Sequence, residues 1–440
     1  LLGNEAIARG AIEGGLQAIA AYPGTPSSEI PDTLRKYADH FGYYMEFSTN
    51  EKTALETAMS ASWSGLKSMA VMKHVGLNVA SDSFMSLAHT GIEGGLVLAV
   101  ADDPSMWSSQ NEQDTRNYAK FANVPLLDPS SPQEAKEMAS YAFELSEEVK
   151  LPVILRPTTR ISHTRGDVEF DDFPEIHYEG NFEKNNERWV TTPNNARKLK
   201  PKLLERQEEA RDLFEESEFN WIEGDTESDV GVIASGISYD YVKEAMEWMN
   251  LDFKLLKLGT PYPLPKERIN DFLETIDRVL IVEELDPIVE EEVRILAQRR
   301  NLDIQISGKM DDYVPMSYEM STKRTAKSFA KYFDIEPPID FQDLEDTYEK
   351  SKDLLVPRPP ELCPGCPHES VFKAMKKVVG DDAIYPSDIG CYTLGVNEPL
   401  NAVDTTFAMG GSTGFAAGMP HFNDKPVVAT VGDSTFFHTG

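Results

Sequence analysis

The stretch Pro426-Val427-Val428-Ala429-Thr430-Val431-Gly432-Asp433-Ser434-Thr435-Phe436-Phe437-His438-Thr439-Gly440 decides how the rest of the chain is read. Its first half is a short, β-branched apolar run, the pattern of a buried parallel strand. The run breaks at Gly432-Asp433, and Ser434 and Thr435 carry hydroxyls suited to a helix start. A strand that runs into a glycine, an aspartate and a helix N-terminus suits a phosphate with a divalent cation. The free N–H groups of the helix start meet the anion, and the Asp433 carboxylate offers the hard oxygen that Mg²⁺ prefers. An ordinary strand-to-loop turn with a solvated Asp433 has the same pattern, so its neighbours in sequence must decide.

Upstream lies Met409-Gly410-Gly411-Ser412-Thr413-Gly414, where small residues let a backbone approach a ligand closely. Further upstream are all three cysteines, Cys363 and Cys366 in a C-x-x-C and then Cys391, with twenty-four residues between Cys366 and Cys391. Thiolates in such spacing serve iron–sulfur clusters, zinc sites (here with His368 as a nitrogen ligand) or dithiol redox pairs.

Working outward, residues 1–165 alternate helix and strand. Strands are expected at Ala18–Tyr22, Tyr43–Ser48, Met69–Lys73, Leu96–Val100 and Val153–Arg156, with helices between them. Alternation of this kind predicts an α/β fold with a parallel sheet covered on both faces, and ligands beyond the carboxyl ends of its strands. Those ends carry the informative residues. Tyr22-Pro23-Gly24-Thr25-Pro26-Ser27-Ser28 follows the first strand, Asn50-Glu51 opens the helix after the second, and Lys73-His74-Val75-Gly76-Leu77-Asn78 follows the third. On residue type alone, Glu51 is also an ordinary first-turn acid and His74 an ordinary structural histidine.

Together these motifs resemble the thiamine-diphosphate-dependent 2-oxoacid:ferredoxin oxidoreductases, and within them the large (alpha) subunits of the indolepyruvate type, over nearly the whole chain. The resemblance implies oxidative decarboxylation of aryl 2-oxoacids with coenzyme A to acyl-CoA and CO₂, electrons passing through iron–sulfur clusters to ferredoxin. It implies that Glu51 activates the cofactor, that His74 orients substrate or moves a proton, and that Thr25 meets the substrate carboxylate. Pyruvate-using relatives carry a bulky aliphatic residue where this chain has Gly24, which implies room for a larger side chain. Gly411, Ser412, Gly432, Asp433 and Ser434 are the implied diphosphate contacts, with Asp433 on Mg²⁺. Cys363, Cys366 and Cys391 are the implied ligands of a [4Fe–4S] cluster, with a fourth cysteine and further clusters beyond residue 440. A small beta subunit is the implied partner. The arginine that grips the carboxylate in pyruvate-using relatives has no visible counterpart, because the fourth strand ends in Asp102-Asp103. Two rivals stand beside this reading: a non-redox thiamine decarboxylase or transferase with structural zinc, and a non-catalytic zinc-stabilised α/β binding protein.

The expected domains are a pyrimidine-binding-type unit over 1–165, a polar connector over 166–227, a transketolase-C-like α/β unit over 228–335, a Pro-rich acidic linker over 336–359, and the start of the diphosphate-binding domain over 360–440. A domain takes roughly 100–200 residues, in keeping with several in a chain of 440. Glu283-Glu284, after a strand, is expected to be solvated. The net charge of −32, from 42 Lys and Arg against 74 Asp and Glu, argues against a nucleic-acid or anionic-membrane surface. No apolar run is long enough for a transmembrane helix, and the few cysteines point to a reduced compartment, the cytoplasm. The chain lacks an initial Met and stops inside what reads as a folded unit, so it reads as a piece trimmed at both ends.

Overall fold

The structure, a computed structural model, describes every residue except 177, 338–339, 357 and 440. Part of the expected linker (Pro338, Ile339 and Pro357) and the terminal Gly440 thus lie outside the described residues. The chain forms two compact units, Leu1–Phe341 and Gln342–Gly440.

The first unit holds two sheets. One contains β1 (Ala18–Ala21), β2 (Tyr44–Phe47), β3 (Ser68–Lys73), β4 (Leu96–Ala101), β5 (Leu126–Leu127) and β6 (Val153–Leu155) in the order β2-β1-β3-β4-β6-β5, all parallel. β4 is buried at all six positions, which is why it reads as a continuous apolar run rather than an alternating one. The register Ala21↔Val71 and Ala21↔Phe47 sets the carboxyl ends of β2, β1 and β3 side by side.

The second sheet contains β7 (Asn220–Gly224), β8 (Val230–Ser235), β9 (Lys254–Leu258), β10 (Arg278–Val282) and β11 (Gln305–Ser307), ordered β11-β10-β8-β9-β7. β7 runs antiparallel to β9 and comes from the stretch read as a polar connector. That stretch differs from expectation in a second way. Its helix, Pro193–Glu215, is not a solvated connector: Leu203, Ala210 and Phe214 enter the core of the first sheet. Their spacing places one narrow apolar stripe on an otherwise charged helix.

Phe341–Lys352 is helical where a linker was expected, and the second unit has further helices at Pro367–Val379, Gly411–Gly418 and Asp433–His438. The run Pro426–Val431 is extended but is not a buried strand. Ile384 donates to the Pro426 carbonyl at 2.8 Å, Val428 donates to the Ile384 carbonyl at 3.0 Å, and Thr430 donates to the Pro386 carbonyl at 3.1 Å. The missing step is at Pro386, which has no N–H to give, so the ladder reduces to an isolated Ile384↔Val427 bridge. Among the described residues no helix is long and apolar enough to cross a membrane.

Candidate functional site

Glu51 is the first residue of the helix Glu51–Trp63, whose start is fixed by the Asn50 side chain accepting the Thr53 N–H at 2.8 Å. The carboxylate is buried, with 5% of the residue exposed. A Cβ at Gly76 would lie 2.6 Å from Glu51 Oε1, so only glycine lets the next helix, His74–Thr90, come this close. His74 is buried at the first position of that helix; its Nε2 lies 3.1 Å from the Asn111 carbonyl, and its Nδ1 has no hydrogen-bond partner among the described residues. Asn78, one turn on, accepts the Tyr118 hydroxyl at 2.7 Å.

Thr25 is exposed beyond β1, and its carbonyl accepts the Ser108 hydroxyl at 3.1 Å. Gly24 does not leave an empty space. A Cβ built there would lie 2.8 Å from Lys73 Cδ and 3.0 Å from Lys73 Cγ, so the Lys73 stem already fills it. Burial pulls the Lys73 ammonium below its ordinary range, against the opposing pull of Asp103 and Glu51. Asp103 accepts from Thr159 at 2.6 Å, from Ser109 at 2.7 Å and from the Ser108 N–H at 2.9 Å. Burial works against the Asp103 charge, but these donors and Lys73 outweigh it and hold the carboxyl below its usual range. The polar segment 103–114 thus lies over Thr25, Lys73 and His74. Sequence reasoning missed Lys73 and Asp103 as single residues, although a lysine at a strand end beside a glycine loop was the available signal.

The expectation that Glu283 and Glu284 are solvated is overturned. Glu283 is wholly buried, accepts the Val289 and Glu290 N–H groups at 3.0 and 2.9 Å, and pairs with Arg116 at 2.6 Å. Arg116 also pairs with Asp114 at 2.6 Å, and Arg156 pairs with Asp102 at 2.6 Å and Asp128 at 3.0 Å, all buried. Arg116 is therefore a structural tie between the two sheets, and Arg156 ties strand ends within the first. Glu284 accepts the Met320 N–H at 2.9 Å, and burial pushes its carboxyl up to about 7.

In the second unit, Asp388 is buried and accepts the Gly410 and Ile389 N–H groups, each at 2.9 Å. Gly410 has φ +81°, a conformation that favours glycine, and Thr439 donates to the Met409 carbonyl at 2.8 Å. The loops around 388, 410 and 439 are thereby gathered. Gly411 opens a helix there, and the Ser412 hydroxyl is buried without a hydrogen-bond partner among the described residues. An unused buried hydroxyl at a glycine-rich helix start suits a diphosphate oxygen. Gly432 caps the helix that begins at Asp433, and Asp433 and Ser434 are exposed, so the carboxylate is open to a cation. Taken each by itself, the first unit holds a buried acid and the second holds anion donors with an open carboxylate, residue kinds that suit thiamine diphosphate.

The cysteines fit less completely. The Cys366 N–H donates to the Cys363 carbonyl at 2.9 Å, so these two share a turn, and Cys366 Sγ lies 3.0 Å from His368 Nδ1. Cys363 and Cys391 are exposed. Among the described residues no three His, Cys, Asp or Glu side chains converge as a metal site. The three thiols match a cluster in kind but are not gathered into one.

Comparison with known proteins places the chain as a whole. Residues 9–210 match the family described as pyruvate flavodoxin/ferredoxin oxidoreductase, thiamine diphosphate-binding. This, with the α/β folds, marks the class of the thiamine-diphosphate-binding 2-oxoacid oxidoreductases. The chain is 55% identical to the indolepyruvate oxidoreductase subunit IorA of Pyrococcus horikoshii, over the whole chain and 71% of that protein. It is 50% identical to the subunit IorA of Archaeoglobus fulgidus, with the same coverage. The chain belongs to the indolepyruvate oxidoreductase IorA family. In fold it is similar to a 2-oxoglutarate:ferredoxin oxidoreductase from Magnetococcus marinus solved with 2-oxoglutarate, coenzyme A and succinyl-CoA bound (TM-score 0.58, 16% identity, 75% of this chain and 64% of that one). A split-gene transketolase, an inactive beta4 tetramer, is similar at TM-score 0.51 and 13% identity, over 76% of this chain and 99% of that one. Membership in this family sets aside the non-catalytic reading.

Proposed function

We propose that the protein catalyses the oxidative decarboxylation of aryl 2-oxoacids of the indolepyruvate type. A 2-oxoacid and coenzyme A give an acyl-CoA, CO₂ and one proton, and two electrons leave through iron–sulfur clusters to two ferredoxins. The observation that carries this reading is Glu51, a buried carboxylate at a helix start with Gly76 pressed against it, in a chain whose relatives bear the indolepyruvate name. Bound thiamine diphosphate supplies the electron sink for CO₂ loss. Glu51 would hold a proton at the cofactor's pyrimidine ring, His74 would orient the substrate, and Thr25 would meet its carboxylate. Gly411, Ser412, Gly432 and Ser434 would hold the diphosphate, and Asp433 the Mg²⁺. A small beta subunit completes the enzyme, and a reduced cytoplasm suits its thiols.

A [4Fe–4S] cluster on Cys363, Cys366 and Cys391 with a further cysteine belongs to the same proposal. The Cys366–His368 contact favours zinc instead, as in a non-redox thiamine enzyme. Anaerobically prepared complete enzyme decides between them: iron and sulfide that fall on Cys391→Ala support the cluster, and stoichiometric zinc without iron refutes it. The substrate class is tested by viologen or ferredoxin reduction with coenzyme A and each oxoacid in turn. Higher kcat/KM for indolepyruvate or phenylpyruvate than for pyruvate is expected, and equal or better turnover of pyruvate defeats the aryl assignment.

A further inference from the structure

We infer that Lys73 is the cation that holds the carboxylate of the 2-oxoacid, and that position 24 is glycine because the Lys73 side chain crosses it. The inference rests on the function proposed above and adds a residue to it. Lys73 closes β3, and Gly24-Thr25 follows β1, its immediate neighbour in the sheet, where the Tyr22 N–H still donates to the Val71 carbonyl at 3.2 Å. Glu51 follows β2 on the other side of β1. Three adjacent strand ends therefore bring a buried acid, an exposed hydroxyl and a half-buried ammonium to one edge.

The Lys73 stem is held along its length. An ideal Cβ at Gly24 would lie 2.8, 3.0 and 3.6 Å from Lys73 Cδ, Cγ and Cβ, so three successive carbons lie along that backbone. Its ammonium is not used up. The hydrogen bond it makes is to the Ser108 carbonyl at 3.5 Å, in solvent-exposed surroundings, and among the described residues no carboxylate lies within 4.0 Å of it. An ammonium carries three donors, so at least two are open to a ligand. Asp103 and Glu51 act on it from beyond ion-pair distance. A planar carboxylate is the ligand chemistry that suits this place, with Lys73 Nζ on one oxygen and the exposed Thr25 hydroxyl as a second donor.

The competing cations at this end of the sheet are occupied. Arg156, after β6, is buried between Asp102 and Asp128. Arg116 is buried between Asp114 and Glu283, and Arg160 is paired with Glu319. The arginine absent from the fourth strand therefore has its substitute on the third.

The test uses the complete two-subunit enzyme and equilibrium binding of indole-3-propionate and its uncharged amide, indole-3-propionamide. The wild type should prefer the acid by about tenfold or more, the worth of one charge-assisted contact. Lys73→Met should reduce the preference to near unity while leaving amide binding unchanged, and Lys73→Arg should restore part of it. KM for indolepyruvate should rise by about tenfold in Lys73→Met while KM for coenzyme A stays constant. Gly24→Ala, which displaces the lysine stem, should lower the acid-over-amide preference in the wild-type background and leave it near unity in the Lys73→Met background, where no charge remains to displace. Retained acid preference in Lys73→Met overturns the inference and leaves the proposed function standing. A loss confined to cofactor C2 proton exchange, with KM unchanged, also overturns it by assigning Lys73 to Glu51. A wild type that neither turns over aryl oxoacids nor binds either probe defeats the proposed function itself.

Discussion

Glu51 and Asp433 each open a helix after an extended run, yet Glu51 is buried and Asp433 is exposed. A buried carboxylate has its surroundings fixed by the protein before any ligand arrives. An exposed one is hydrated, and its partner is supplied by the ligand. Mg²⁺, which keeps several waters and takes one or two carboxylates, suits the second kind of residue. The same contrast separates the two units more broadly. In the first, charged groups are paired in the interior; in the second, Cys363, Cys391 and Asp433 all face solvent. The surroundings of these groups are therefore set by folding in the first unit and left open to solvent in the second.

Four substitutions probe that contrast. Glu51→Gln in the complete enzyme loaded with thiamine diphosphate should slow C2 proton exchange by about 10²–10⁴ while the cofactor stays bound, read by NMR. An exchange rate equal to wild type would remove Glu51 from the chemistry. Arg116→Met leaves Asp114 and Glu283 buried without their shared partner and should cost about 3–5 kcal/mol in urea unfolding.

Glu284 gives a pH signature. Its folded carboxyl is raised from 4.5 to about 7, so between those values the native state keeps a proton that the unfolded chain releases. Its contribution to stability is whole below pH 4.5 and is lost as pH climbs to about 7, a change of about 3 kcal/mol. Glu284→Gln should flatten that slope; if the slope survives, another group causes it. The smallest effect is expected from Asp433→Asn, within about 0.5 kcal/mol in stability. Its signature is instead a loss of Mg²⁺-dependent cofactor retention, measured by gel filtration of the loaded enzyme. A large stability loss would mean that Asp433 is a structural residue after all.

The strands of the first sheet were legible because β3 carries a four-residue apolar run and β4 a six-residue one, buried almost throughout. β5 was not, since two residues carry no period. The packed face of the helix Pro193–Glu215 was legible in principle as Leu203, Ala210 and Phe214, but the surrounding charges hid it. Burial of Glu283 was not legible at all, because its partner Arg116 stands 167 residues away in sequence. Pro386 was visible, but its effect on Pro426–Val431 depended on knowing that the two segments pair. At the site, strand-end positions led to Glu51, His74 and Thr25. The occupant of the space beside Gly24 comes from another strand, which no local pattern reports.

The segment 103–114 is fastened at both ends. Asp103 gathers Thr159, Ser108 and Ser109, and Asp114 is locked to buried Arg116. Between these anchors Trp107 and Gln110 do not enter the interior. A cover pinned in this way can change its middle residues over generations without loosening its frame. Trp107 and Gln110 are the positions such a cover leaves open to change, while Ser105, Ser108, Ser109 and Glu112 hold its frame.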